Sequence, residues 1–219
     1  MNPSIQYKWQ YFPGHSFSKI PDTNFRYLIP ARAGKVVSVS FISSDISMIS
    51  QKLGREYRGT GFVYDLNDTI FAARAGIVYE ATDTVETGES TDVIFKANRN
   101  RIKIEHRNGT IGIYGMTAPI KLLVHEGDEV FPGQPLAIFN KPSPRHVVLF
   151  SVSYLDEKKL LKEINPDNEL YYIYLPVYFY LNENIKATML ERNIIYVVQH
   201  SKDIIAAEMT KKEKRKFGY

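Results

Sequence analysis

Apolar and polar residues alternate in short runs through the middle of the chain, from about residue 59 to residue 154. Most apolar positions in these runs are β-branched or aromatic, and clusters such as Asp65-Leu66-Asn67-Asp68 separate one run from the next. Short alternating runs between turn-forming clusters are typical of antiparallel β-sheet. The predicted strands are 61–64, 69–73, 77–81, 92–96, 101–106, 111–114, 135–139 and 146–153.

Both flanks of this β-rich region follow other patterns. The segment before residue 35 is rich in proline and aromatic residues, which predicts an irregular arm packed against another part of the protein. The run 36–42 predicts a further strand, and Ser44 is a suitable N-cap for a short helix that ends near Gly54.

The C-terminal flank mixes helical and strand patterns. Residues 156–164 have helical spacing, and 171–180 is a dense aromatic strand interrupted by Pro176. We predict a short helix over 184–192, a strand over 194–198, and a last helix that begins at Ser201 and ends in basic residues.

These patterns divide the chain into three parts. Residues 1–56 form the arm with a strand and a short helix, 57–154 form a β-domain, and 155–219 form a short α/β extension with the aromatic strand and the basic terminal helix. The predicted fold class is therefore mainly β, built on an antiparallel sheet.

Composition restricts the classes of function. Hydrophobic residues make up 44% and charged residues 24% of the 219 residues, as in packed globular proteins. We expect no transmembrane segment, because no apolar run approaches the roughly 20 residues that a spanning helix needs, and we find no signal-peptide pattern in the sequence as given. The absence of cysteine excludes disulfides, thiolate zinc sites, iron–sulfur clusters and a cysteine nucleophile.

The net charge of +4 is modest, and much of it lies in residues 211–216. The rest of the chain is nearly neutral and carries no nucleic-acid-binding motif, so we predict no nucleic-acid partner. A terminal run of this kind is typical of a solvated helix end, while a contact with an anionic polymer is the alternative.

Two segments are more specific than a generic β pattern. In 69–78, two strands meet at small residues, and in 124–137 Gly127 and Gly133 allow sharp turns around Val130. Between them lie Ile102-Lys103-Ile104-Glu105-His106-Arg107-Asn108-Gly109 and Ile113-Tyr114. A biotin- or lipoyl-carrier domain shares the Gly-Asp-x-Val-x-x-Gly-Gln turn, but Lys103 and Lys121 lack the setting of a modifiable lysine.

In this order, the segments resemble the lysostaphin-type (LytM-like) zinc endopeptidases, which cut peptidoglycan cross-bridges. The family pattern reads approximately P-V-x-A-x-x-x-G-x-V, V-x-I-x-H-x-x-G, Y-x-H, V-x-x-G-x-x-V-x-x-G-Q-x-I and H-x-H-F-E-V, and the match covers about residues 57 to 154. The resemblance implies a sandwich-like or barrel-like β-domain of the duplicated hybrid motif type.

The resemblance also implies a zinc ion held by a histidine, an aspartate four residues later and the last histidine of H-x-H. In this chain those positions are occupied by Tyr57, Gly61 and Leu149. A protonated phenol is a poor zinc ligand, and glycine and leucine side chains supply no donor atom. We therefore expect no zinc and no other cofactor.

The two assisting histidines of the family are replaced as well. Met116 stands at the end of Y-x-H, and Val147 stands at the first position of H-x-H. His146 is displaced by one residue and is expected on the opposite face of its strand. His106 matches a strand end of the family pattern, so we interpret it as structural.

From the resemblance we predict a catalytically inactive peptidase-like domain in the cell envelope or periplasm that binds a peptidoglycan peptide or a cell-wall enzyme. The alternatives are an active zinc metalloendopeptidase whose ligands are elsewhere, and a structural glycan-binding module that uses the aromatics of 171–180. The predicted binding groove is either open or filled by the N-terminal arm. The residues predicted to line the groove are Tyr57, Gly61, Tyr114, Met116, Arg145, Val147 and Leu149.

Overall fold

The computed structural model describes residues 21, 25–42, 57–83, 100–156 and 171–219. Antiparallel β-sheet is the main structure of these residues, as predicted. The strands are β1 (Arg26–Tyr27), β2 (Val36–Ile42), β3 (Gly59–Tyr64), β4 (Thr69–Phe71), β5 (Gly76–Asp83), β6 (Asn100–Glu105), β7 (Ile111–Met116), β8 (Ile120–Leu122), β9 (Glu129–Val130), β10 (Pro135–Phe139), β11 (His146–Leu155), β12 (Tyr172–Leu175), β13 (Tyr178–Phe179) and β14 (Ile195–Val197). The helices are α1 (Lys202–Ala206) and α2 (Lys211–Phe217).

The largest sheet has the order β14-β2-β3-β11-β7-β6-β5-β9, and β12 pairs with the end of β11. A second sheet has the order β4-β10-β8, and β1 pairs with β13 in parallel. The main core lies between the two antiparallel sheets, since it includes Phe62, Tyr114 and Phe150 from the large sheet and Ile70 and Phe139 from the small one. This arrangement is a sandwich, in which β11 is buried along most of its length.

The strands predicted within 57–154 are present wherever the structure describes them. The predicted strand 92–96 and the predicted helices after Ser44 and after Asp156 lie outside the described residues. The turns at Gly127 and Gly133 are confirmed, because these residues have φ angles of 92° and 81°. Within the described residues, no helix is long and apolar enough to cross a membrane.

The helix predicted over 184–192 is wrong. The side-chain oxygen of Asn182 accepts hydrogen bonds from the backbone N–H groups of Asn184 and Ile185, each at 2.9 Å. Thr188 then forms a bridge with Phe179. Side-chain capture of backbone donors competes with helix formation, and here it produces a turn.

The predicted last helix is divided in two. α1 begins after Ser201, whereas α2 has its own N-cap, Thr210. Thr210 and Glu213 form a reciprocal capping box, in which the Glu213 N–H donates to Thr210 and the Thr210 N–H donates to Glu213. This local cap begins a new helix at the basic run.

Strands from the three predicted parts of the chain pair with one another. β2, from the first predicted part, pairs with β3, and β14, from the last part, pairs with β2. Val37 and Val198 also belong to the main core cluster. The three predicted parts therefore contribute to one sheet and one core.

Candidate functional site

The two faces of the large sheet differ at its centre. Val148 and Phe150 of β11 belong to the main core, whereas Val147 and Leu149 form a separate apolar cluster. Because successive side chains of a strand point to opposite faces, this second cluster lies on the side away from the main core. We call this side the outer face. Its central residues are Gly59, Gly61 and Val63 of β3, Val147, Leu149 and Ser151 of β11, and Ile113 and Gly115 of β7.

Two of the positions that the resemblance assigns to zinc ligands meet on the outer face. Leu149 is paired directly with Gly61 on one side and with Gly115 on the other. Side chains at directly paired positions have Cβ atoms about 5 Å apart, which is a suitable spacing for two ligands of one metal ion. The two positions are therefore neighbours, but glycine and leucine occupy them.

Tyr57, at the third ligand position, also lies on the outer face. A side chain at Gly59 would bring its Cβ within 2.6 Å of the Tyr57 hydroxyl, so the ring packs directly on this glycine. The Tyr57 ring packs edge-on against Tyr174 with centroids 4.8 Å apart. Burial raises the pKa of Tyr57, and a hydrogen bond with Ser151 acts in the opposite direction. The phenol is therefore protonated at neutral pH and is a poor metal ligand.

Tyr114 and Met116 do not share the outer face. Met116 is paired with Val148 and Tyr114 with Phe150, and all four side chains are fully buried in the main core. The Tyr114 hydroxyl accepts a hydrogen bond of 2.8 Å from the Ala73 N–H. The prediction that they line the groove is corrected here, because strand alternation points residues 114 and 116 inward.

Arg145 and Val147 lie at the start of β11. The Val147 N–H donates a hydrogen bond of 3.0 Å to the Thr117 hydroxyl, which in turn donates to the Arg145 carbonyl at 3.3 Å. The Arg145 residue is exposed, while Val147 and Leu149 expose only 4% and 5% of their surface. The centre of the outer face is therefore covered, and Arg145 lies at its border.

His146 and His106 have structural positions. His146 packs against Phe139 with ring centroids 5.0 Å apart, on the core side of β11. The His106 Nδ1 atom lies 2.8 Å from the Ala75 carbonyl, and the ring is fully enclosed. Throughout the described segments, no three His, Cys, Asp or Glu side chains are grouped as a metal site would require.

A row of charged residues borders the apolar centre of the outer face. Arg101 is paired with Gly115, and Lys103 is paired with Ile113. Glu80 forms ion pairs with both, and the distance to the Lys103 Nζ atom is 3.0 Å. Burial raises the pKa of Glu80, but Lys103 and Arg101 outweigh this effect and hold the pKa below its ordinary value. The border thus carries two cations that share one carboxylate.

The aromatic segment 171–180 is largely engaged in packing. Tyr171, Phe179 and Tyr180 are buried, and Tyr174 contacts Tyr57. Only part of the predicted aromatic surface is thus accessible to a sugar ring.

Sequence reasoning missed a buried ion pair between Arg74 and Glu208. Arg74 donates two hydrogen bonds to the Glu208 carboxylate, at 2.9 and 2.6 Å, and its side chain is 3% exposed. Its guanidinium also lies 3.6 Å from the centroid of the Phe25 ring. The available signal was a single charged residue within the small-residue segment 72–76.

Comparisons with known proteins returned structural neighbours only. No protein-family model matches the chain, and the search of curated proteins gave no match. Among solved structures, the chain is similar to lysostaphin, with 17% identity and a TM-score of 0.40, over 54% of this chain and 44% of lysostaphin. It is similar to a putative glycyl-glycine endopeptidase lytM from Ruminococcus gnavus, with 13% identity and a TM-score of 0.39, over 67% of this chain and 57% of that protein.

A third similar structure is pseudoalterin, an M23 metalloprotease from the deep sea, with 15% identity and a TM-score of 0.41. The match covers 78% of this chain and 98% of pseudoalterin. The chain spans less than half the length of lysostaphin. At these TM-scores, the role of each side chain has to be inferred from the contacts within this chain.

Proposed function

We propose that this chain is a catalytically inactive, peptidase-like domain of the bacterial cell envelope that acts by binding a peptidoglycan peptide or a cell-wall enzyme. The observation that carries the proposal is the direct pairing of Gly61 with Leu149 on the outer face. The motif alignment requires these two positions to be neighbours, and they are. Their side chains nevertheless offer no atom that coordinates a metal.

The residues present do not fit a zinc ion. An open catalytic zinc site needs three protein ligands, and Gly61 and Leu149 remove two of them. The remaining candidate, Tyr57, is a half-buried phenol engaged with Ser151 and Tyr174. These three side chains therefore lack the donor atoms needed to hold a zinc ion that would activate a water molecule for hydrolysis.

A binding role is consistent with the chemistry of the outer face. Ile113 is half-buried and lies between β11 and the charged side chains of Arg101 and Lys103. Val63 is half-buried on the other side of β11, where it is paired with Val147. Apolar area beside a few fixed polar groups suits an extended peptide or a protein loop better than a phosphate.

The metal part of the proposal is tested by restoring the ligands. We expect the wild-type protein to hold no stoichiometric zinc and to leave peptidoglycan and glycine-rich peptides uncut. The variant Tyr57→His/Gly61→Asp/Leu149→His should bind about one zinc per chain, because it places three donors on neighbouring positions of one face. Zinc content is measured by elemental analysis after gel filtration, and folding is checked by circular dichroism.

The matched control is Tyr57→His/Gly61→Asp/Ile113→His. It has the same ligand types, but in other positions. Ile113 lies two strands away from Gly61 and is paired with Ser151 instead of Leu149, so tight zinc binding is not expected. Stoichiometric zinc in the wild type, lost together with hydrolysis on chelation, would show an active enzyme. A folded restored variant without zinc would contradict the location of the site.

The binding part is tested by capture on purified cell wall and on immobilised glycine-rich peptide. Ile113→Glu should reduce capture at least tenfold, because it places a charge on the half-buried part of the outer face. Ile195→Glu is the matched control, since Ile195 lies on β14, at the edge of the same sheet, and is 66% exposed. Equal capture by both folded variants would refute binding at the centre of the outer face.

A further inference from the structure

We propose that α2 presents a cationic face that docks on an anionic lipid bilayer. The helix contains five basic residues and one acidic residue before its C-cap, Gly218. The basic residues are Lys211, Lys212, Lys214, Arg215 and Lys216.

The orientation of α2 separates its charges by sign. At about 100° per residue, Glu213 and Phe217 lie on one side of the helix, and the five cations span the remaining arc. Glu213 faces the body of the protein, where its carboxylate is 3.1 Å from the Arg107 guanidinium. Phe217 packs on Phe131 with ring centroids 5.1 Å apart. The body-facing side is thus occupied, and the cations point away from it.

Most of these cations are exposed to solvent. Lys211, Lys212, Arg215 and Lys216 are exposed, and Lys214 is half-buried. None of the five forms an ion pair with any acidic residue among the described parts of the chain. The acid of the helix, Glu213, is already paired with Arg107, and Glu129 also faces Arg107 at 3.5 Å. The helix and its immediate partners Arg107 and Glu129 therefore carry six positive charges and two negative charges, a local excess of about four.

The helix is held in place by contacts that do not involve these cations. Arg107 donates a 2.5 Å hydrogen bond to the Glu208 carbonyl, and the Glu208 carboxylate pairs with the buried Arg74. The capping box of Thr210 and Glu213 fixes the first turn. A partner therefore meets a cationic surface that is already arranged, and little ordering is needed on binding.

Charge and shape favour a bilayer as the partner. The cationic arc is the convex side of an exposed helix, which fits a flat anionic surface. Tyr219, just after the end of the helix, is 44% exposed, and an aromatic ring next to cations is typical of residues at the headgroup level. Each cation near an anionic membrane surface raises partitioning by a factor of about 5.

The test is co-sedimentation of the full chain with vesicles of phosphatidylcholine alone or of phosphatidylcholine with an equal amount of phosphatidylglycerol. Binding is expected only to the second kind, and it should weaken as the salt concentration rises. Lys211→Gln/Lys212→Gln/Lys216→Gln should lower the partition coefficient about 100-fold, because three cations are removed.

The matched control, Lys121→Gln/Lys141→Gln/Lys186→Gln, has the same net charge and changes exposed lysines elsewhere. It should keep most of the binding. Equal loss in both variants would show that net charge alone governs binding and would overturn the proposal. Absence of vesicle binding, or binding to soluble long-chain polyphosphate without vesicle binding, would overturn the bilayer as partner.

Discussion

Replacement of Arg74 by alanine is expected to lower the free energy of unfolding by about 3 to 5 kcal/mol. Arg74 and Glu208 join the turn between β4 and β5 to the segment between α1 and α2. Removal of the guanidinium leaves the Glu208 carboxylate, whose side chain is 16% exposed, without its partner. The hydrogen bonds from Arg74 to the hydroxyls of Tyr27 and Thr110 are lost as well.

Urea unfolding at pH 7.5 measures this effect, and the melting temperature should fall by about 6 to 20 °C. Lys186→Ala is the matched control, because its ion pair with Glu183 is exposed and should contribute at most about 1 kcal/mol. A similar small change in both variants would contradict a stabilising role for the buried pair.

Acidification is expected to destabilise the protein through His106. Burial, and to a lesser degree the charge of Arg74, lower the pKa of His106 to about 3, although the hydrogen bond with Ala75 opposes this shift. An unfolded histidine has a pKa near 6.5, so between these values the unfolded state binds more protons. The stabilisation is therefore complete above about pH 6.5 and is lost as the pH falls toward 3. At pH 4.5 the loss amounts to about 2 to 3 kcal/mol.

The measurement is the change in unfolding free energy between pH 7.5 and pH 4.5 in the wild type and in His106→Gln. The variant should lose about 2 to 3 kcal/mol less than the wild type over this interval, whatever its stability at pH 7.5. Carboxylates such as Glu80 titrate in both proteins and cancel in the difference. His125→Gln, at a side chain that is 91% exposed, should behave as the wild type does. An identical change in His106→Gln and the wild type would exclude His106 as the source.

Local sequence features predicted the β-strands and the turns. β3 and β11 are recognisable in the sequence because both are rich in β-branched and aromatic residues, among them the core residues Phe62 and Phe150. The glycines at 127 and 133 were predictable because their backbone conformation disfavours other residues.

Features that depend on long-range contacts were not predictable. The sequence around Tyr114 and Met116 does not show which face of β7 is the core, because Gly112 and Gly115 interrupt the alternation. The charge of Arg74 stands out within the small-residue segment 72–76, but no local feature identifies its distant partner, Glu208. The pairing of β14 with β2 also joins distant segments and was not predictable from local patterns. Strands of one sheet therefore lie in different predicted parts of the chain.

The pairing of β2 with β14 also sets the order in which this protein can fold. β2 and β14 are about 160 residues apart in the sequence, so this part of the ladder forms only after synthesis has passed residue 197. Contacts between such distant residues slow folding, since a long loop has to close before they form. Until then β2 is an unprotected strand edge that includes Val37 and Val39, which are buried in the final core. A nascent chain that stalls before residue 195 would therefore expose an aggregation-prone edge, and its fate would depend on chaperones and proteases.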